Sequence, residues 1–102
     1  MDKKRLNLLL AEDNPADAEL VLRELRNAGF KFDYERVDTE ADFLNKLGPR
    51  TDIVLSDFAM PQFTGLRALE LVKQSKQDIP FILAIMSILP LLIKMYTVFI
   101  CK

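Results

Sequence analysis

Short, continuously apolar runs alternate along the chain with stretches in which apolar positions recur every three or four residues. Leu6 to Ala11 is apolar at nearly every position and too short for a buried helix, which predicts a central strand covered on both faces. Beyond it Asn14-Pro15 opens a helix, with Asn14 as the cap, Pro15 at the first helical position and Asp17 placed to complete a capping box. Ala18, Val21, Leu22, Leu25 and Ala28 give that helix one apolar face, and Gly29 closes it. Phe32 to Val37 alternates as an edge strand does. A second helix follows from a Thr39 cap, with Asp42 at the reciprocal position and Gly48-Pro49 at its end. Ile53 to Ser56 predicts a third strand. After the loop Met60-Pro61-Gln62-Phe63, a third helix begins near Thr64, with Leu66, Leu69 and Val72 as its buried side, and gives way to polar residues around Gln77-Asp78. A fourth apolar run starts at Pro80.

Strands and helices alternating at this short spacing predict right-handed crossovers and an α/β fold, a doubly wound parallel sheet with helices on both faces. In such sheets ligands bind outside the carboxyl ends of the strands, which is where Glu12, Asp13 and Asp57 fall. At 102 residues, 50% hydrophobic and 28% charged, the chain makes one small globular domain. With 14 basic and 15 acidic residues and a net charge of -1, it has no overall field for gripping phosphates, and no nucleic-acid partner is expected. There is no histidine, which excludes Ser-His-Asp and Cys-His catalysis and histidine metal ligands. Cys101 is the one cysteine, so no disulfide framework or cysteine metal site is expected, and a reducing, cytoplasmic setting fits.

The remaining polar chemistry belongs to carboxylates. Two unit charges ~5 Å apart repel by roughly 3 kcal/mol at an effective dielectric near 20, so a three-carboxylate cluster is stable mainly with a cation in it. Oxygen-only ligands point to Mg²⁺, or Mn²⁺ in its place, with waters left on the metal. A carboxylate beside such an ion can act as a nucleophile toward phosphorus, and Asp57 is the candidate, with Glu12 and Asp13 as metal holders. The plainer alternative is that Asp57 only forms a turn and Glu12-Asp13 is a solvated strand end leading to a cap.

The segments AEDNPADAELVLREL, VLSDFAMPQFTGLRALELVK and DIPFIL resemble the receiver domain of two-component response regulators. The resemblance runs from about Leu6 to Ala84 and rests on the acidic pair, the strand-end Asp57, the Met60-Pro61 that follows it and Gly65 opening the third helix. It implies a flavodoxin-like fold with strand order 2-1-3-4-5. It also implies Asp57 as phosphoacceptor, Asp13 as a direct Mg²⁺ ligand, Glu12 as a ligand mainly through water, and Ala59 contributing its backbone carbonyl. The phosphoryl donor would be a phosphohistidine on a sensor histidine kinase or a histidine phosphotransfer protein, making the chain a signalling domain rather than an enzyme. Phosphatases of the haloacid dehalogenase type also use a strand-end Asp with Mg²⁺, but they carry a second Asp two residues on, where this chain has Ala59.

After Ala84 the resemblance fails, dividing the chain into a receiver-like domain, 1–84, and an atypical hydrophobic tail, 85–102. Receivers place a Ser or Thr at the position of Ile85, then a helix, a fifth strand ending in a Lys, and a last helix; the residues from Ile85 onward are too few for all of these. All charged residues except Lys94 and Lys102 precede the tail, whose composition suits a shifted reading frame or a truncation. The fifth strand and last helix are therefore expected to be missing. The apolar stretch from Phe81 to Ile93 contains Pro90 and falls short of the ~20 residues of a spanning helix, so no membrane partner is expected. An apolar fourth-strand edge or the tail could support a homodimer unless a helix or strand of the tail covers it. Without the family's Ser/Thr and Lys, the alternative function is a non-switching receiver-like fragment or an interaction domain that does not signal by phosphorylation.

Overall fold

The computed structural model describes residues 5–57, 60–76, 78–86 and 93–100, with 84–86 and 93–100 described by backbone alone. The elements run β1 (Leu6–Ala11), α1 (Pro15–Asn27), β2 (Phe32–Val37), α2 (Glu40–Lys46), β3 (Ile53–Asp57), α3 (Gly65–Gln74), β4 (Pro80–Met86) and β5 (Ile93–Ile100). They build one sheet of order β2-β1-β3-β4-β5, in which the first four strands are parallel.

Because successive strand side chains point to opposite faces, the apolar run of β1 divides between two cores. Leu8 and Leu10 pack with Ala18, Val21 and Leu22 of α1 and with Phe32 and Leu55. Leu9 and Ala11 face the other way, into a larger core holding Phe43 of α2, Ala68 and Val72 of α3, and Phe81 of β4. Phe63, in the loop before α3, stacks at a tilt on Phe43 with ring centroids 5.2 Å apart. One helix covers the first face and two cover the second. An apolar groove of about 350 Å³ remains beside α1, lined by Leu25, Phe30, Phe32, Ile53 and Ile82 among others.

The helix ends follow the local chemistry, with three differences from the sequence expectation. Asn14 caps α1 by accepting from the N–H groups of Ala16 and Asp17, but the N–H of Asn14 itself goes to Glu12 Oε2 rather than to Asp17. The capping box is thus closed from the strand side. α2 stops at Lys46, ahead of Gly48-Pro49, because Leu47 is already extended and the Gly48 N–H turns to Thr51 Oγ1. On α3, Leu66 is 55% exposed, and the buried side is Gly65, Ala68, Leu69, Leu71 and Val72. At 3.6 residues per turn Leu66 lies about 120° around the helix from Val72, off the face the sheet covers.

The tail also differs. In place of the parallel fifth strand that is expected to be missing, Ile93–Ile100 lies antiparallel to β4, beside the four parallel strands of a truncated receiver fold. A parallel return needs a connection of about a dozen residues or more, and 87–92 is shorter, so only the antiparallel return is open to it. Leu83 pairs with Thr97 while Ala84 pairs with Met95, a β-bulge in the register. The β4 edge expected to be available to a second copy is therefore occupied by β5. The same register sets the Lys94 backbone opposite Ile85, one rung beyond the Asp57–Ala84 pair, a placement that linear spacing gave no reason to expect. Among the described residues no helix is long and apolar enough to cross a membrane.

Candidate functional site

The parallel register of β1 and β3 pairs Leu10 with Leu55 and Ala11 with Ser56, so Glu12, just past β1, and Asp57, the last residue of β3, come side by side. Asp13 follows directly. The three carboxylates bring one oxygen each within 4.8 Å of one another, at the carboxyl ends of the central strands. The structure thus brings together the three carboxylates named from the sequence, at the end of the sheet where parallel folds bind ligands.

The three groups sit at different depths. Glu12 is 2% exposed, Asp57 is half-buried and Asp13 is exposed. Burial pushes the Glu12 carboxyl up to about 8, and the neighbouring Asp57 charge and a hydrogen bond with Asp13 push the same way, while the Asn14 N–H opposes them. The Glu12 backbone is held from β2: its N–H donates to the Val37 carbonyl at 3.0 Å, and its carbonyl accepts from Arg36 Nη1 at 3.0 Å. At the other strand Ser56 is fully buried and its hydroxyl donates to the Asp57 carbonyl at 3.0 Å. Met60 and Phe63, 3% and 2% exposed, anchor the following loop in the core. A polar pocket of about 250 Å³ lies beside the cluster, lined by Asp13, by Asp38 just past β2, and by Pro61 and Gln62 of that loop.

The donor set fits a hard divalent cation. It offers carboxylate oxygens only, one of them buried, its pKa raised first by that burial and further by the neighbouring Asp57 charge, which a cation would offset. Ala59, expected to contribute a carbonyl, lies outside the described residues.

Sequence reasoning missed Arg36 and the Asn14 N–H as partners of Glu12. Arg36 is the polar penultimate residue of an edge strand and carries no motif. Asn14 was legible as a cap, but which oxygen its own N–H meets depends on how the chain turns out of β1. The family model for the response regulator receiver domain matches residues 8–88. No curated protein matches the chain.

Proposed function

Because the chain belongs to the response regulator receiver domain family, we propose that it is the phosphoacceptor module of a two-component phosphorelay, taking a phosphoryl group from a phosphohistidine onto Asp57. The observation that carries this reading is the convergence of Glu12, Asp13 and Asp57 within 4.8 Å at the carboxyl ends of β1 and β3. Asp13 and Asp57 would hold Mg²⁺ directly, Glu12 mainly through water, and Ala59 through its backbone carbonyl.

Asp57 is the nucleophile: one carboxylate oxygen attacks phosphorus, the P–O bond forms as the P–N bond to the donor imidazole breaks, and the bonding pair leaves with that nitrogen, which takes up a proton. Bound Mg²⁺ would offset the charge between the carboxylate and the incoming phosphoryl oxygens. Burial keeps Glu12 from competing as a second nucleophile, and the N–H of Asn14 holds its Oε2 in place. Ser56 holds the Asp57 main chain through its hydroxyl. The donor belongs on a sensor histidine kinase or a histidine phosphotransfer protein, since this chain has no histidine of its own.

A second reading is favoured by Ile85, where receivers carry Ser or Thr, and by the antiparallel β5. On that reading the site accepts the phosphoryl group without passing on a conformational change. Intact-mass measurement after incubation with a small acyl-phosphate donor tests the acceptor. The expected result is a Mg²⁺-dependent gain of one phosphoryl group that Asp57→Asn abolishes. Uptake unchanged in Asp57→Asn would remove the assignment. Amide exchange of the phosphorylated and free forms separates the two readings, because switching requires protection changes beyond the loops that carry the site.

A further inference from the structure

β1 ends at Ala11, but β2 goes on holding the chain for another residue. The N–H of Glu12 donates to the Val37 carbonyl, and the next carbonyl, that of Glu12 itself, accepts from the Arg36 guanidinium at 3.0 Å. Arg36 thus takes the part of a further rung in the β1–β2 ladder after the strand pairing has stopped. The carbonyl it holds belongs to the peptide that joins Glu12 to Asp13. Since a peptide unit is planar, fixing its oxygen fixes the orientation of the plane and the direction in which Asp13 leaves it. Arg36 forms no ion pair among the described residues, so a surface salt bridge does not account for its placement.

We propose that Arg36 is a positioning residue for the acidic pair: by clamping the Glu12 carbonyl it sets the Glu12–Asp13 peptide so that the two carboxylates can hold one divalent cation together. This rests on the reading of the cluster as a cation site.

The sign of the effect separates positioning from simple electrostatics. A guanidinium near a cation site repels the cation, so if only its charge mattered, removing it would tighten Mg²⁺ binding. Loss of positioning weakens it. The test is calorimetric titration of the full chain with Mg²⁺ and with Mn²⁺ for the wild type, Arg36→Met and Arg36→Gln, alongside melting temperatures in chelator. Arg36→Met keeps the stem and loses the donor; Arg36→Gln keeps an N–H donor and loses the charge.

The expected result is affinity weakened roughly three- to ten-fold in Arg36→Met, the range of one net hydrogen bond, and at least partly recovered in Arg36→Gln, with chelated melting temperatures close to wild type. Affinity unchanged or tighter in Arg36→Met would overturn the inference and leave the cation site standing. A fall in the chelated melting temperature at unchanged affinity would also overturn it, leaving Arg36 a purely structural residue. Absence of Mg²⁺ and Mn²⁺ binding by the wild type would remove the cation site itself, and the inference with it.

Discussion

Glu12 is the residue at which packing and chemistry meet. A carboxyl that is 2% exposed beside two other carboxylates is costly to ionise, and its pKa rises from the ordinary 4.5 to about 8. An acid whose pKa is raised on folding stabilises the folded state fully below the unfolded value and loses that contribution as pH rises toward the folded value. In chelator, therefore, stability should fall between about pH 4.5 and pH 8, at up to about 1.4 kcal/mol per pH unit from this group. Urea unfolding across that range checks the slope, and Glu12→Gln should flatten it while keeping an oxygen for the Asn14 N–H. Because a ligand carboxylate must be deprotonated, Mg²⁺ affinity should rise with pH up to about 8 and binding at neutral pH should release close to one proton, measurable by titration in buffers of different ionisation enthalpy.

At the scale of elements, the helices end where their caps allow. α1 closes with the Phe30 N–H on the Leu25 carbonyl and the Gly29 N–H on the Arg26 carbonyl, a Schellman arrangement with Gly29 at φ +95°. A Cβ there would meet no atom within 4 Å, so the cost of Gly29→Ala is backbone conformation alone, about 1 kcal/mol. α3 reaches the same left-handed conformation with a side chain that disfavours it, Lys76 at φ +58°. Lys76→Gly should therefore have the opposite sign, a gain of about 0.5–1 kcal/mol partly reduced by the freer unfolded chain. Thermal melts of the two variants check both signs. α2 and α3 are also tied to each other through Arg67, whose guanidinium donates to both oxygens of Glu40 and to Glu70. The partners are partly exposed, so the pair contributes little and serves mainly to align the two helices.

For the whole molecule, the sheet depends on the tail for its edge. β5 supplies the hydrogen-bonding partner of β4 along its length, and without it an apolar strand would present unpaired backbone groups to solvent. Deleting residues 87–102 should produce a chain that self-associates with concentration, which sedimentation velocity will detect; a monodisperse truncated chain would show that β4 needs no cover. The larger core is less forgiving. Phe81 is fully buried between β4 and the α2–α3 layer, and Phe81→Ala should cost about 3–5 kcal/mol, a large part of the ~5–15 kcal/mol that holds a small domain together. Saturation of the acidic site with Mg²⁺ at about 100 times its Kd should return roughly 2.7 kcal/mol, so the variant should be rescued in part by the ion and not in chelator.

By itself the sequence determined the four parallel strands, the three helices and the residue types at the site, because strand runs, caps and three- or four-residue spacing are local signals. Glu12, Asp13 and Asp57 were legible as strand-end carboxylates for the same reason. Only the tertiary structure decided what depends on register and on the neighbour across a gap: that Glu12 stands beside Asp57 and is buried, that its oxygen rather than that of Asp17 meets the Asn14 N–H, and that Arg36 reaches its carbonyl from β2. Leu66 reads as a core residue until the sheet takes the other side of α3. The tail is the sharpest case. Its apolar composition gave strand or helix equally, and it became an antiparallel strand because β4 offered a free edge and the short connection allowed no other direction of return.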